Sequence, residues 1–125
     1  MINSILLYSG SAIIFLWGIG HLFPTKSVVK GFGEISEDNL KIITMEWIAE
    51  GLTLCFIGLL AFLTTIFKTA DTNLSYIVYF SLAGMLIILA ILSLFTGAKT
   101  SILPMKLCPI VKNTTAMLFI LGNVL

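Results

Sequence analysis

WIAEGLTLCFIGLLAFLTTIF, residues 47–67, holds one charged side chain, Glu50, in an otherwise apolar run. About 20 mostly apolar residues, rising about 1.5 Å each, cross the roughly 30 Å hydrocarbon core of a bilayer. The run meets that length and reads as a transmembrane helix. Upstream, Ser36 is an N-cap candidate, and Glu37 and Asp38 fall in a first turn, where the helix dipole favours negative charge. The helix is therefore expected over 36–67. It is longer than the bilayer needs, so its first turns should lie in water or among headgroups.

Three further apolar segments flank it. The first, 2–23, is closed by Pro24. It lacks the positive flank, the short apolar run and the small-residue cleavage site of a signal peptide, and is expected to stay as a helix. Residues 24–35, punctuated by Pro24, Gly31 and Gly33, read as a loop. Residues 68–73 read as a polar turn and 74–96 as a third helix. After a connection over 97–106, a fourth helix is expected over 105–125, starting near Met105 or at Pro109, since proline is tolerated at a first helical position. The expected fold is all-α: an integral membrane four-helix up-down bundle in a single transmembrane domain spanning 1–125.

Composition agrees. Of 125 residues, 58% are hydrophobic and 10% charged, and the mean hydropathy is +1.10. Soluble domains carry about 25% charged residues, and a chain this short could not bury so much apolar surface in water. Net charge is +1, so no basic field points to nucleic acid. All seven basic residues are lysine. Without a guanidinium there is no forked grip on phosphate or carboxylate, which argues against glutathione- or nucleotide-binding membrane enzymes. Cys55 and Cys108 form no C-x-x-C and read as small packing residues.

Lysine placement predicts orientation. With four spans, Lys26, Lys30, Lys41, Lys99 and Lys106 share one side, with Lys112 just inside the fourth helix, and Lys68 stands alone on the other. The positive-inside rule makes the lysine-rich side cytoplasmic and both termini extracytoplasmic, in what is expected to be a bacterial cytoplasmic membrane. Tyr8, Tyr76 and Tyr79 fall toward one interface and Trp17 and Trp47 toward the other, as aromatic belts do.

Ionisable groups inside a span cost several kcal/mol and mark function first. Four qualify: His21 on the first helix, Glu46 and Glu50 on the second, and Lys112 on the fourth. Alternating helix direction brings all four to one layer near the cytoplasmic ends. Glu46 and Glu50, four residues apart, share a face, with Glu50 deeper by one turn. His21 follows Ser11, Ile14 and Gly18 on a stripe whose small residues permit close helix approach, so it should face the bundle. Gly51, Cys55 and Gly58 form a second such stripe. Against a functional reading, Glu46 reads as a solvated rim residue, His21 as a packing residue, and Lys112 as snorkelling to the headgroups. Glu50 either forms a structural ion pair with Lys112 or His21 or carries function. H-E-x-x-H, H-x-x-E-H and E-x-x-H are all absent, so no metal site is assigned, and a lone histidine argues against haem. No cofactor is assigned.

Glu46 and Glu50 leading into Gly58-Leu59-Leu60, and Gly18-x-Gly20-His21-Leu22 before a proline, resemble the DoxX-like group of small four-helix membrane proteins. The resemblance implies association with membrane oxidoreductase modules and quinone-linked metabolism. It also places His21 where that family often ends its first helix with a basic residue. The absence of arginine is a departure. Small multidrug-resistance exporters are similar in length and helix count but carry their essential glutamate in helix one, where this chain has no acid.

The leading expectation is a membrane-embedded site for a lipid-like or amphipathic small molecule, a quinone among the candidates, lined by His21, Glu46, Glu50, Lys112, Trp17 and Trp47. One alternative is a proton-coupled small-molecule transporter, dimeric, with Glu50 exchanging the proton. The other is a non-catalytic subunit, or homodimer, associating through the small-residue stripes. A histidine beside a carboxylate can do general acid–base work, yet no nucleophile–base–orienter arrangement is legible, so no reaction is assigned.

Overall fold

Ser36 ends an extended approach (φ −60°, ψ 155°) and its hydroxyl accepts the Asn39 N–H at 3.2 Å, the cap expected from the sequence. From it the longest helix runs over Glu37–Ile66. The computed structural model describes residues 2–67 and 72–125, and within them the helices are α1 (Ile2–Leu22), α2 (Thr25–Lys30), α3 (Glu37–Ile66), α4 (Thr72–Phe95) and α5 (Leu103–Val124). Four of these, all but α2, are long and apolar enough to cross a membrane. The chain is an all-α, integral membrane four-helix bundle. Lys68 and most of the turn expected over 68–73 lie outside the described residues.

Two connections differ from expectation. Residues 24–35 are not loop throughout, because Thr25–Lys30 form the short helix α2. Thr25 Oγ1 donates to Leu22 O at 2.5 Å, tying α2 to the end of α1, and the segment ends at Gly33, whose φ of 78° suits glycine. The start of the last helix also moves, to Leu103, with Pro104 in its first turn and Pro109 inside it. Pro109 has no N–H, so Met105 O loses its helical donor, an irregularity tolerated in membrane helices packed against neighbours. A single 3-10 turn, Gly97–Lys99, precedes α5.

The small-residue stripes meet each other. A Cβ on Gly18 would lie 2.8 Å from Cys55 N and 2.9 Å from Gly51 O, and one on Gly58 would lie 2.8 Å from Ser11 O. The backbones of α1 and α3 therefore touch, and Cys55 Sγ donates across this seam to Phe15 O at 3.7 Å. The stripes are consumed inside the chain and are not free for association. Gly10 against Phe119, and Gly122 against Leu7, bring α5 onto α1 in the same way. α4 packs on α5, whereas α3 and α4 scarcely meet. The helices thus follow the order α3, α1, α5, α4 around a core that includes Leu7, Ile14, Leu54, Tyr79, Leu86 and Phe119, with an open seam between α3 and α4.

That seam is pinned at one end. Thr65 Oγ1 donates to Ala61 O at 2.8 Å and accepts from the fully buried Tyr79 hydroxyl, joining α3 to α4. Only 28–44% of each spanning window is buried within the chain, so most apolar side chains face outward, where a bilayer accepts them.

Candidate functional site

Each spanning helix sends one polar side chain to a common layer at the end of the bundle that carries α2 and the 3-10 turn: His21 from α1, Glu50 from α3, Ser93 from α4 and Lys112 from α5. Lys112 Nζ donates to Glu50 Oε1 at 2.7 Å and to Ser93 Oγ at 3.0 Å. Ser93 is held in turn, donating to Leu89 O at 2.8 Å. Lys112 is 1% exposed. It does not snorkel to the headgroups as expected. The ammonium instead points across the bundle, because a carboxylate and a hydroxyl are within reach and a buried charge is tolerated only when paired. Glu50 thus takes the ion pair that was one of its two expected roles.

His21 sits against this pair. Its Nε2 lies 3.5 Å from Glu50 Oε2, yet makes no hydrogen bond among the described residues, although the residue is only 7% exposed. The imidazole is clamped by Trp47. The two rings stack at 3.8 Å with 15° between planes, and Trp47 Nε1 donates to His21 O at 2.7 Å. That carbonyl is in the last turn of α1, where helical donors run out. One indole therefore fixes both the backbone and the ring of His21.

The layer lines a cavity of about 420 Å³ in the open seam. His21, Glu50, Ser93 and Lys112 supply its polar wall, and Leu89, Leu92, Met105 and Cys108 its apolar one. Ala49 and Thr53 of α3 and Leu92 of α4 line it while also being exposed, so the cavity opens sideways between α3 and α4. Glu46 lies at its rim, exposed, with no hydrogen bond or ion pair among the described residues. A second cavity, about 410 Å³, shares His21, Met105 and Cys108 with the first and is lined further by Trp47, Trp17, Val28 and Ile102. It joins residues of both connections, which places these at the same end of the bundle, as an up-down order requires. Trp17 belongs to this second space and not to the polar layer.

The layer therefore unites three of the residues singled out from sequence, His21, Glu50 and Lys112, with Trp47 as their support. Ser93 was missed. Its signal was its place in the last turn of an apolar helix, level with Lys112 once helix ends are aligned. Among the described residues, no three His, Cys, Asp or Glu side chains gather to hold a metal ion.

A buried cation, a carboxylate with one oxygen facing a cavity, and an unbonded imidazole nitrogen can hold a small polar group against an apolar wall. Comparison with family models, with curated proteins and with solved structures returned no match.

Proposed function

We propose that this protein binds a lipid-like or amphipathic small molecule, with quinones among the candidates, through its polar layer, and that the ligand reaches the cavity sideways from the bilayer. The observation carrying this reading is that four helices each contribute one polar side chain to the wall of one half-open cavity, on a molecule otherwise built for lipid. The cavity's volume of about 420 Å³ lies in the range of small-molecule pockets, which pair mostly apolar walls with a few placed polar groups. With Lys26, Lys30, Lys41, Lys99 and Lys106 at the same end, the layer would lie toward the cytoplasmic side and both termini outside, in a bacterial cytoplasmic membrane. A place among DoxX-like proteins would agree with this reading.

Binding is favoured over proton exchange at Glu50 because Lys112 already holds one carboxylate oxygen. The test is ligand-induced thermal stabilisation of the purified protein in detergent across a panel of membrane lipids and quinones. Glu50→Gln and His21→Ala should each reduce the stabilisation given by the best ligand. An undiminished shift in both variants would remove the layer from the binding site.

A further inference from the structure

His21 and Glu50 both line the cavity, and a polar atom of each approaches the other without bonding it. His21 Nε2 belongs to a side chain more than nine-tenths buried and has no hydrogen-bond partner among the described residues. Glu50 Oε2 lies 3.5 Å from it, while the other carboxylate oxygen is taken by Lys112. At that separation one oxygen atom can bond both at about 2.8 Å, the usual length of such bonds, and because Nε2 is closed off from solvent it reaches that nitrogen only as the ring or the α3–α4 seam gives slightly. We infer that the cavity selects an uncharged amphiphile headed by a hydroxyl group, whose oxygen accepts from His21 Nε2–H and whose hydrogen is donated to Glu50 Oε2. This rests on the binding reading above and narrows it to a chemical class.

The tautomer follows from the neighbour. A carboxylate oxygen 3.5 Å away favours an N–H dipole at Nε2 over a lone pair. The Trp47 stack keeps the ring in that orientation. Charge then excludes the other head groups. Lys112 and Glu50 neutralise each other at 2.7 Å, so the four side chains of the layer carry no surplus charge, and Glu46 at the rim, unpaired among the described residues, adds a negative one. A phosphate or carboxylate head would face the carboxylate of Glu50. An ammonium head would compete at Glu50 with Lys112, which is fixed in place by Ser93 as well, and would be held instead at the rim by Glu46, short of His21. A head that only accepts, such as an ether or the carbonyl of a quinone, satisfies Nε2 but forgoes the charge-assisted hydrogen bond that a hydroxyl gives the half-sheltered Oε2. Of these heads the hydroxyl alone serves both atoms. The apolar chain leaves past Leu89 and Leu92 through the α3–α4 opening.

The experiment uses the full chain in detergent with four probes of one chain length: dodecanol, methyl dodecyl ether, dodecyl phosphate and dodecylamine. Midpoint concentrations for thermal stabilisation are compared. Dodecanol is expected to act at about tenfold lower concentration than the ether, the scale of one buried hydrogen bond. Glu50→Gln supplies a second reading. Its amide oxygen must face Lys112, so its NH2 turns to the cavity and donates. The ether should then gain, and the alcohol's advantage should shrink to about threefold or less. Equal action of alcohol and ether on the unaltered protein overturns the hydroxyl assignment while leaving an amphiphile site standing. Tighter action of the phosphate or the amine does the same. Failure of all four probes, together with the lipid and quinone panel, overturns the site itself.

Discussion

The ammonium of Lys112 and the carboxylate of Glu50 meet at 2.7 Å across the bundle, a pairing that counting along the helices allowed but did not decide. The two ends of the pair are unequally sheltered: the lysine side chain is 1% exposed and the glutamate 34%. Removing one partner of a buried pair costs roughly 3–5 kcal/mol, whereas replacing both with apolar residues of similar size is often neutral.

The inequality predicts an order of stabilities. Glu50→Met strands a fully enclosed ammonium and should be the more damaging single change, toward the upper part of that range. Lys112→Met leaves a carboxylate that still reaches the cavity opening and should fall near or below its lower end. The double change should recover most of either loss. Equilibrium unfolding in mixed micelles measures all three. A double variant less stable than both singles would mean that the pair is not an isolated buried unit.

A second prediction concerns the α1–α3 seam. The Cβ positions of Gly18 and Gly58 fall within 3 Å of backbone atoms, which cannot swing aside. Alanine at either site should cost about 1–3 kcal/mol, as overpacking usually does. Gly20 and Gly84 have nothing among the described residues within 4 Å of the added carbon. Alanine there should be neutral or gain up to about 1 kcal/mol from helix propensity. Similar losses at all four positions would contradict the close backbone approach.

The spans were legible because hydropathy over a membrane-length window needs no knowledge of the partner helix. The Ser36 cap was legible because it is a local event. The depth of His21, Glu50 and Lys112 followed from counting along helices, but Lys112's direction did not. Whether a lysine runs outward to headgroups or inward to a carboxylate depends on how α5 is rotated, and that is set by Gly122 and Phe119 against α1, a tertiary matter. Ser93 was hidden for the same reason: a hydroxyl in an apolar helix signifies little until a cation is seen beside it. α2 was too short to show a period, and Pro109 suggested a helix start where the chain continues through it.

Trp47 offers a test of how His21 is held. Trp47→Phe keeps an aromatic face for the stack but removes the Nε1–H bond to His21 O. It should lower stability by about 1 kcal/mol, the usual net worth of such a bond. Trp47→Leu should lose the stack as well, about 0.5–1.5 kcal/mol more. Ligand-induced stabilisation should weaken in the same order, since the imidazole loses its fixed direction. If Trp47→Leu bound the best ligand as well as the unaltered protein, His21 would not be part of the contact.

Tyr79 gives the converse case. Its hydroxyl bonds Thr65 at the far end of the α3–α4 seam. Along α3, Thr65 is about 22 Å from Glu50 at 1.5 Å per residue. Tyr79→Phe leaves Thr65 its own bond to Ala61 O, so the loss should be about 1 kcal/mol. Sites separated by more than about 10 Å with no shared partners act additively. Tyr79→Phe combined with Glu50→Gln should therefore match the sum of the single losses to within about 0.5 kcal/mol, with ligand affinity following Glu50 alone. A strongly non-additive result would mean that the two ends of the seam open together. The slot between α3 and α4 would then behave as one moving part and not as a fixed cavity with a closed far end.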